Sequence, residues 1–277
     1  MIPLGRLVET SRPRFWLYLA GPVVVGAVFG ADAPSALLGP AAVGLFAYFL
    51  WPGNLFLYGV NDVFDRDVDA ANPKKAGRER RWTGDRLTPA AVVVTAALGV
   101  GLAVTAPPAA APWLLAFLVL GAAYSAPPLR LKTRPPLDSL SNGLYVLPGV
   151  AAYAALAGQA PPALAVVGGW LWTMAMHTFS AVPDIGPDRE AGIETTATML
   201  GRDGALAYCG LTWLLAAGVF ALVDLRLGLL FLAYPVILAA IAGARVEVRR
   251  AYWWYPAINT VAGMAFTLGG LWGLLHG

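Results

Sequence analysis

Asn61-Asp62-Val63-Phe64-Asp65-Arg66-Asp67-Val68-Asp69 closes an apolar run at 37–60 that is long enough to cross a bilayer as a helix. Carboxylates at the rim of such a run are costly and need a compensating partner. Continued as a helix at about 100° per residue, the stretch places Asp62, Asp65 and Asp69 within about 60° of one another, with Asn61 alongside and Asp67 opposite. Three like charges on one face repel, and a cation among them relieves the repulsion. An all-oxygen set of this kind suits Mg2+, held through carboxylates and substrate phosphates. A solvated acidic loop is the competing reading of the same spacing.

Outward from this stretch, composition points to a membrane protein. Of 277 residues, 58% are hydrophobic and only 13% charged, and the mean hydropathy of +0.64 lies outside the soluble range. The single cysteine, Cys209, excludes an internal disulfide and any cysteine-built metal site. The net charge of +3 is small; no nucleic-acid partner is inferred from it, because in a membrane protein the placement of Lys and Arg matters more than their sum. Glu9, Arg12, Pro13 and Arg14 precede the first apolar run, which lacks a cleavage site and reads as a retained span.

Runs of membrane length fall at 14–31, 37–60, 88–106, 108–127, 139–158, 161–182, 205–223, 226–243 and 256–275, predicting nine transmembrane helices in an all-α, polytopic chain. The N-terminal arm and the loops at 61–87, 128–138, 183–204 and 244–255 hold every Lys and Arg except Arg226. By the positive-inside rule the N-terminus and these loops are cytoplasmic, and an odd number of spans leaves His276 and Gly277 outside. Both acidic clusters then share one face with most of the basic residues, as a site for a charged phosphate ester requires.

The second cluster is Pro183-Asp184-Ile185-Gly186-Pro187-Asp188-Arg189, at the end of the sixth predicted span. On a continuous helix Asp184 and Asp188 would lie about 40° apart. Pro187 argues against continuity, so Asp188 is expected to begin a new turn; a capping role for either aspartate is the alternative. Between the clusters, Tyr124-Ser125-Ala126-Pro127-Pro128-Leu129-Arg130-Leu131-Lys132 ends a span sharply. Lys132 can reach a phosphate there as a point charge and Tyr124 can donate a hydroxyl. A snorkelling anchor with an interfacial tyrosine is the plainer reading.

Asn61-Asp62-x-x-Asp65-x-x-x-Asp69, Tyr124-Ser125-x-Pro127-Pro128-x-x-x-Lys132 and Asp184-x-x-x-Asp188, in this order, resemble the UbiA superfamily of intramembrane prenyltransferases over essentially the whole chain. The resemblance implies a single domain over 1–277, a helical bundle around a central cavity. In it Asn61, Asp62, Asp65, Asp69, Asp184 and Asp188 hold Mg2+ and the diphosphate of an isoprenyl donor. It further implies transfer of the prenyl group to a lipophilic acceptor within the membrane of a prokaryotic cell. Ser11-Arg12-Pro13-Arg14-Phe15-Trp16 and the stretch from His177 through Asp184 to Thr198 are similar to the branch that includes lycopene elongases. That branch implies a dimethylallyl donor and an acyclic carotenoid acceptor.

On this reading Asp62, Asp65, Asp184 and Lys132 stabilise charge growing on the leaving diphosphate, in a site kept dry among helices. Tyr124, Lys74 and Arg189 assist diphosphate binding, with Lys75 and Arg66 as further candidates or as ordinary loop charges. His177, two turns before Asp184, is a candidate base for the cation left on the acceptor; a hydrogen-bonded structural histidine is the alternative. Trp16, Trp51, Trp113, Trp170 and Trp172 either face that cation or serve as packing and interfacial residues. The basic 61–87 loop is a lid over the diphosphate or a lipid-headgroup anchor.

An ion-coupled transporter is the rival of another class, but it favours repeats and mid-span acids that the chain does not display. A purely structural protein gives no reason for six oxygen ligands on one face. Within the enzyme reading, an aromatic quinone precursor is the alternative acceptor, its carboxylate paired by Arg12 or Arg14.

Overall fold

The computed structural model describes residues 4–71, 84 and 86–276, with residues 66–71 described through their backbone alone. All regular structure among them is helical: α1 (Leu4–Thr10), α2 (Trp16–Gly30), α3 (Pro40–Leu50), α4 (Pro52–Ala71), α5 (Leu87–Thr105), α6 (Ala111–Ser125), α7 (Leu137–Leu140), α8 (Leu147–Ala157), α9 (Ala163–Ala181), α10 (Ile185–Glu190), α11 (Thr196–Val223), α12 (Leu225–Phe231), α13 (Ala233–Gly243), α14 (Val248–Tyr252) and α15 (Tyr255–His276), with short 3-10 turns between some of them. Among the described residues seven stretches are long and apolar enough to cross a membrane: Pro13–Gly30, Pro40–Asp65, Leu87–Thr105, Leu137–Ala157, Thr196–Val223, Leu225–Gly243 and Tyr255–His276. The remaining two predicted spans coincide with α6, of 15 residues, and α9, of 19.

Several runs that read as continuous in sequence are broken, each for a local reason. Pro52 has no N–H to donate, and α3 gives way to α4 at Trp51 (φ −130°, ψ −60°). The fully buried Asn54 donates to Phe49 O at 2.8 Å and Leu50 O at 3.2 Å, satisfying carbonyls that hydrocarbon could not. Pro235, in the first turn of α13, accompanies the break at Leu232 between α12 and α13. α11 starts nine residues earlier than the predicted span at 205, behind a capping box: Thr195 N donates to Thr198 Oγ1 at 2.8 Å and Thr198 N to Thr195 Oγ1 at 3.1 Å. Within it Gly201 (φ 69°, ψ 176°) adopts a conformation natural only to glycine and kinks the helix.

The chain packs as two compact units, one comprising Met1–Arg130, Leu147–Ala160 and Thr267–Gly277, the other Leu131–Val146 and Pro161–Phe266. In the first, α2 and α8 touch backbone to backbone. A methyl group on Gly26 would lie 1.9 Å from Gly149 O, and one on Gly30 would lie 2.6 Å from Tyr153 O. Small residues at such a crossing let helices pack where no hydrophobic force separates helix from lipid. Phe49 and Phe117 meet edge-on at 5.0 Å beside them.

The second unit is organised around aromatic rings on α9, α11, α13 and α15. Phe179, Trp213, Tyr234 and Tyr255 are essentially inaccessible, with Phe179 and Tyr255 at 4.7 Å and Trp213 stacked on Tyr255 at 6.0 Å. Large apolar side chains such as Val104, Val119, Leu222, Val236 and Val261 point outward instead. Water would oppose so much exposed apolar surface, whereas a bilayer solvates it.

Candidate active site

In the first unit the site is the polar end of α4. Asp62 and Asp65 are buried, at 6% and 9% exposure, and lie on one helix face as their spacing predicts. Each meets an arginine. Arg12 Nη2 donates to Asp62 Oδ1 at 3.2 Å while its guanidinium lies 4.7 Å over the Tyr58 ring. Arg130 Nη2 donates to Asp65 Oδ1 and to Phe64 O, both at 3.2 Å. Both arginines have left-handed backbones, with φ of 51° and 43°. That conformation costs a non-glycine residue roughly 1–2 kcal/mol, and here it accompanies the delivery of a guanidinium to a buried carboxylate.

Ser125 Oγ donates to Asn61 Oδ1 at 3.1 Å. Thus Ser125 and Arg130, at and just beyond the end of α6, join that segment to Asn61 and Asp65 of α4. Sequence reasoning quoted Ser125 and Arg130 only as part of the Tyr124–Lys132 stretch. The available signal was their position at the sharp end of a predicted span, in a loop expected to share one face with the aspartates. Tyr124 is half-buried in the last turn of α6. The side chain of Asp69 and the whole of Lys74 lie outside the described residues.

The second unit carries the other predicted residues. α9 ends at Ala181, a 3-10 turn covers Val182–Asp184, and α10 begins at Ile185 with Pro187 in its first turn. The chain therefore changes helix before Pro187, and Asp188 belongs to a new helix, as the proline led one to expect. Asp184 is exposed at the junction, while Asp188 is half-buried. Arg189 Nη2 donates to Thr198 O at 2.7 Å, bracing the end of α10 against the start of α11. Lys132 is half-buried in the 3-10 turn Leu131–Thr133. Trp172 packs edge-on against Tyr234 at 5.5 Å, and Trp170 donates to Leu140 O at 2.8 Å; both are packing residues.

Asp138 went unremarked in the sequence, where it reads as one more loop acid ahead of a span. It is fully buried and accepts from Thr196 N at 2.8 Å and Thr196 Oγ1 at 2.5 Å. His177 Nε2 lies 3.5 Å from Asp138 Oδ2.

Among the described residues no three Asp, Glu, His or Cys side chains form a ready metal cage. The oxygen donors of Asn61, Asp62 and Asp65 on one face nonetheless fit a hard divalent ion, which takes only one or two carboxylates and completes its shell with water and phosphate. Paired carboxylates and arginines at the end of an apolar helix are what a membrane enzyme working on a phosphate ester needs.

The chain belongs to the UbiA prenyltransferase family, whose sequence profile matches residues 19–272, and it is an integral-membrane prenyltransferase. It is 64% identical over 271 residues to the lycopene elongase/hydratase of Haloferax volcanii, covering 98% of this chain and 90% of that protein. It is 63% identical to the lycopene elongase/hydratase of Halobacterium salinarum, over 98% of each. The solved structure of a UbiA homolog from Archaeoglobus fulgidus bound to DMAPP and Mg2+ shares the fold, with a TM-score of 0.77 at 21% identity over 96% of this chain and 98% of that one.

Proposed function

We propose that the chain transfers a dimethylallyl group from its diphosphate to the end of an acyclic carotenoid such as lycopene, inside a prokaryotic cell membrane. What supports this most directly is the near full-length identity of 64% to a lycopene elongase/hydratase. On this reading residues 1–277 are one domain of nine spans around a central cavity, with the N-terminus and the acidic loops cytoplasmic and the C-terminus outside.

On the same reading Asn61, Asp62, Asp65 and Asp69, with Asp184 and Asp188, would hold Mg2+. These residues would thereby set a positive charge against the diphosphate as it leaves. Lys132, Tyr124, Lys74 and Arg189 bind the same group, and Arg12 and Arg130 stand beside Asp62 and Asp65 to share in it. The allylic C–O bond breaks, and diphosphate departs with the electron pair. The terminal double bond of the acceptor then supplies two electrons to the allylic carbon. This leaves a tertiary cation on the acceptor, which loses a proton or adds water.

The aromatic-acid alternative assigned the acceptor carboxylate to Arg12 or Arg14. Arg12 is engaged with Asp62 and Tyr58, and Arg14 lies 5.6 Å over the Phe15 ring, so no observation favours that acceptor.

The test combines purified protein in lycopene-loaded vesicles with radiolabelled dimethylallyl diphosphate. Mg2+-dependent diphosphate release and a carotenoid longer by one or two five-carbon units are expected, with both abolished by Asp62→Ala and by Asp184→Ala. Undiminished release in both variants would overturn the assignment.

A further inference from the structure

We propose that the buried carboxylate of Asp138 orients and electrostatically supports His177 as the group that takes up the proton released after carbon–carbon bond formation. The inference rests on the prenyl-transfer reading above and assigns its last step.

Three observations within the second unit carry it. First, Asp138 has no exposed surface, and a buried carboxylate is retained only where its charge is matched. Its two oxygens accept from the backbone N–H and the hydroxyl of Thr196 at 2.8 and 2.5 Å. Second, the same carboxylate presents Oδ2 to His177 Nε2 at 3.5 Å, while the imidazole side chain keeps 16% of its surface accessible. A partly accessible ring that meets a buried acid at ion-pair distance is arranged to receive a proton rather than only to pack. Third, the anchor is itself rigid. Neighbouring Ser139 donates to Met174 O at 3.1 Å, lies 2.9 Å from Tyr208 Oη and accepts from Thr178 Oγ1 at 3.1 Å, so α7 is pinned to both α9 and α11.

The chemistry balances on these groups. With the Nε2 edge of the ring 3.5 Å from Asp138 Oδ2, the proton is accepted on the imidazole. It comes either from the carbon next to the tertiary cation, whose C–H electrons become the new double bond, or from a water whose oxygen bonds to that cation. The imidazolium so formed lies against the Asp138 carboxylate, whose negative charge offsets its own. His177 lies in the last turns of α9, with the 3-10 turn Val182–Asp184 between it and α10. His177 is thus the catalytic residue and Asp138 a positioning residue.

The experiment uses the full chain in vesicles with labelled dimethylallyl diphosphate and lycopene, reading the ratio of elongated carotenoid to diphosphate released. His177→Gln is expected to lower that ratio about a hundredfold, in line with the usual contribution of a general base. Added imidazole is expected to restore part of it in His177→Ala. Asp138→Asn should lower the ratio in the parent background but not further in His177→Gln, because it acts through the ring. Equal losses from Asp138→Asn in both backgrounds, or no rescue of His177→Ala by imidazole, overturn the proposal even if Asp138→Asn folds poorly. A parent enzyme that releases no diphosphate with Mg2+ present overturns the functional reading and this inference with it.

Discussion

Arg12 reaches Asp62 from fifty residues away, with Nη2 donating to Oδ1 at 3.2 Å from a backbone held at φ 51°. The pair places a fixed cation against the first carboxylate of the aspartate-rich face, and Tyr58 beneath the guanidinium holds its plane.

Arg12→Lys keeps the charge and loses both the planar fork and the stack on Tyr58. The KM for the allylic diphosphate is expected to rise about tenfold or more, since a hydrogen bond to a charged group is worth about 1.5–3 kcal/mol. Steady-state kinetics at saturating Mg2+ measure it, and an unchanged KM would place Arg12 outside the donor site.

Metal dependence should follow the donor set. Chelation by EDTA is expected to abolish product formation and Mg2+ to restore it, because an all-oxygen carboxylate site selects hard cations. Asp65→Ala should lower turnover by about three orders of magnitude, the several kcal/mol that a bound ion supplies to a developing charge. Turnover in the Asp65 variant within tenfold of the parent would remove it from the site.

Gly26→Ala forces a methyl group into the carbonyl of Gly149, so α2 and α8 must separate. An overpacking cost of about 1–3 kcal/mol is expected, read as a lower midpoint of thermal unfolding in detergent. Gly21→Ala, on the same helix with nothing within 4 Å of the added carbon, is the control and should leave the midpoint unchanged or raised.

The Ser139 hydroxyl gives its one proton to Met174 O, so Thr178 and Tyr208 both donate into its lone pairs. Ser139→Ala removes an acceptor from the buried Thr178 hydroxyl and from the half-buried Tyr208 hydroxyl and is expected to cost about 1–3 kcal/mol. Combined with Tyr208→Phe the losses should be less than additive, and full additivity in thermal unfolding would show that the two groups do not share a bond.

Much of this protein was legible in its sequence because the relevant signals are local. Hydropathy over some twenty residues marks a span whatever surrounds it, and the 3.6-residue period alone placed Asp62 and Asp65 on one face. The signal failed where continuity depends on a single backbone group. The run at 37–60 hides the break before Pro52, which the side chain of Asn54 makes tolerable, and the start of α11 at Thr196 depends on a capping box ahead of a polar, kinked turn.

By itself, then, the sequence determined an all-helical membrane chain, the gathering of its acids and bases in the same loops, and the oxygen-rich character of the aspartate motif. All of these follow from composition and from residues a few positions apart. Only tertiary structure decided which charge meets which: Arg12 with Asp62, Arg130 with Asp65, and Asp138 with Thr196 and His177. Most of these partners stand 50 to 65 residues apart, and even His177 reaches Asp138 from a different helix. No periodicity connects such positions; they come together because helix packing excludes water and leaves each buried carboxylate only those donors that the neighbouring helices deliver.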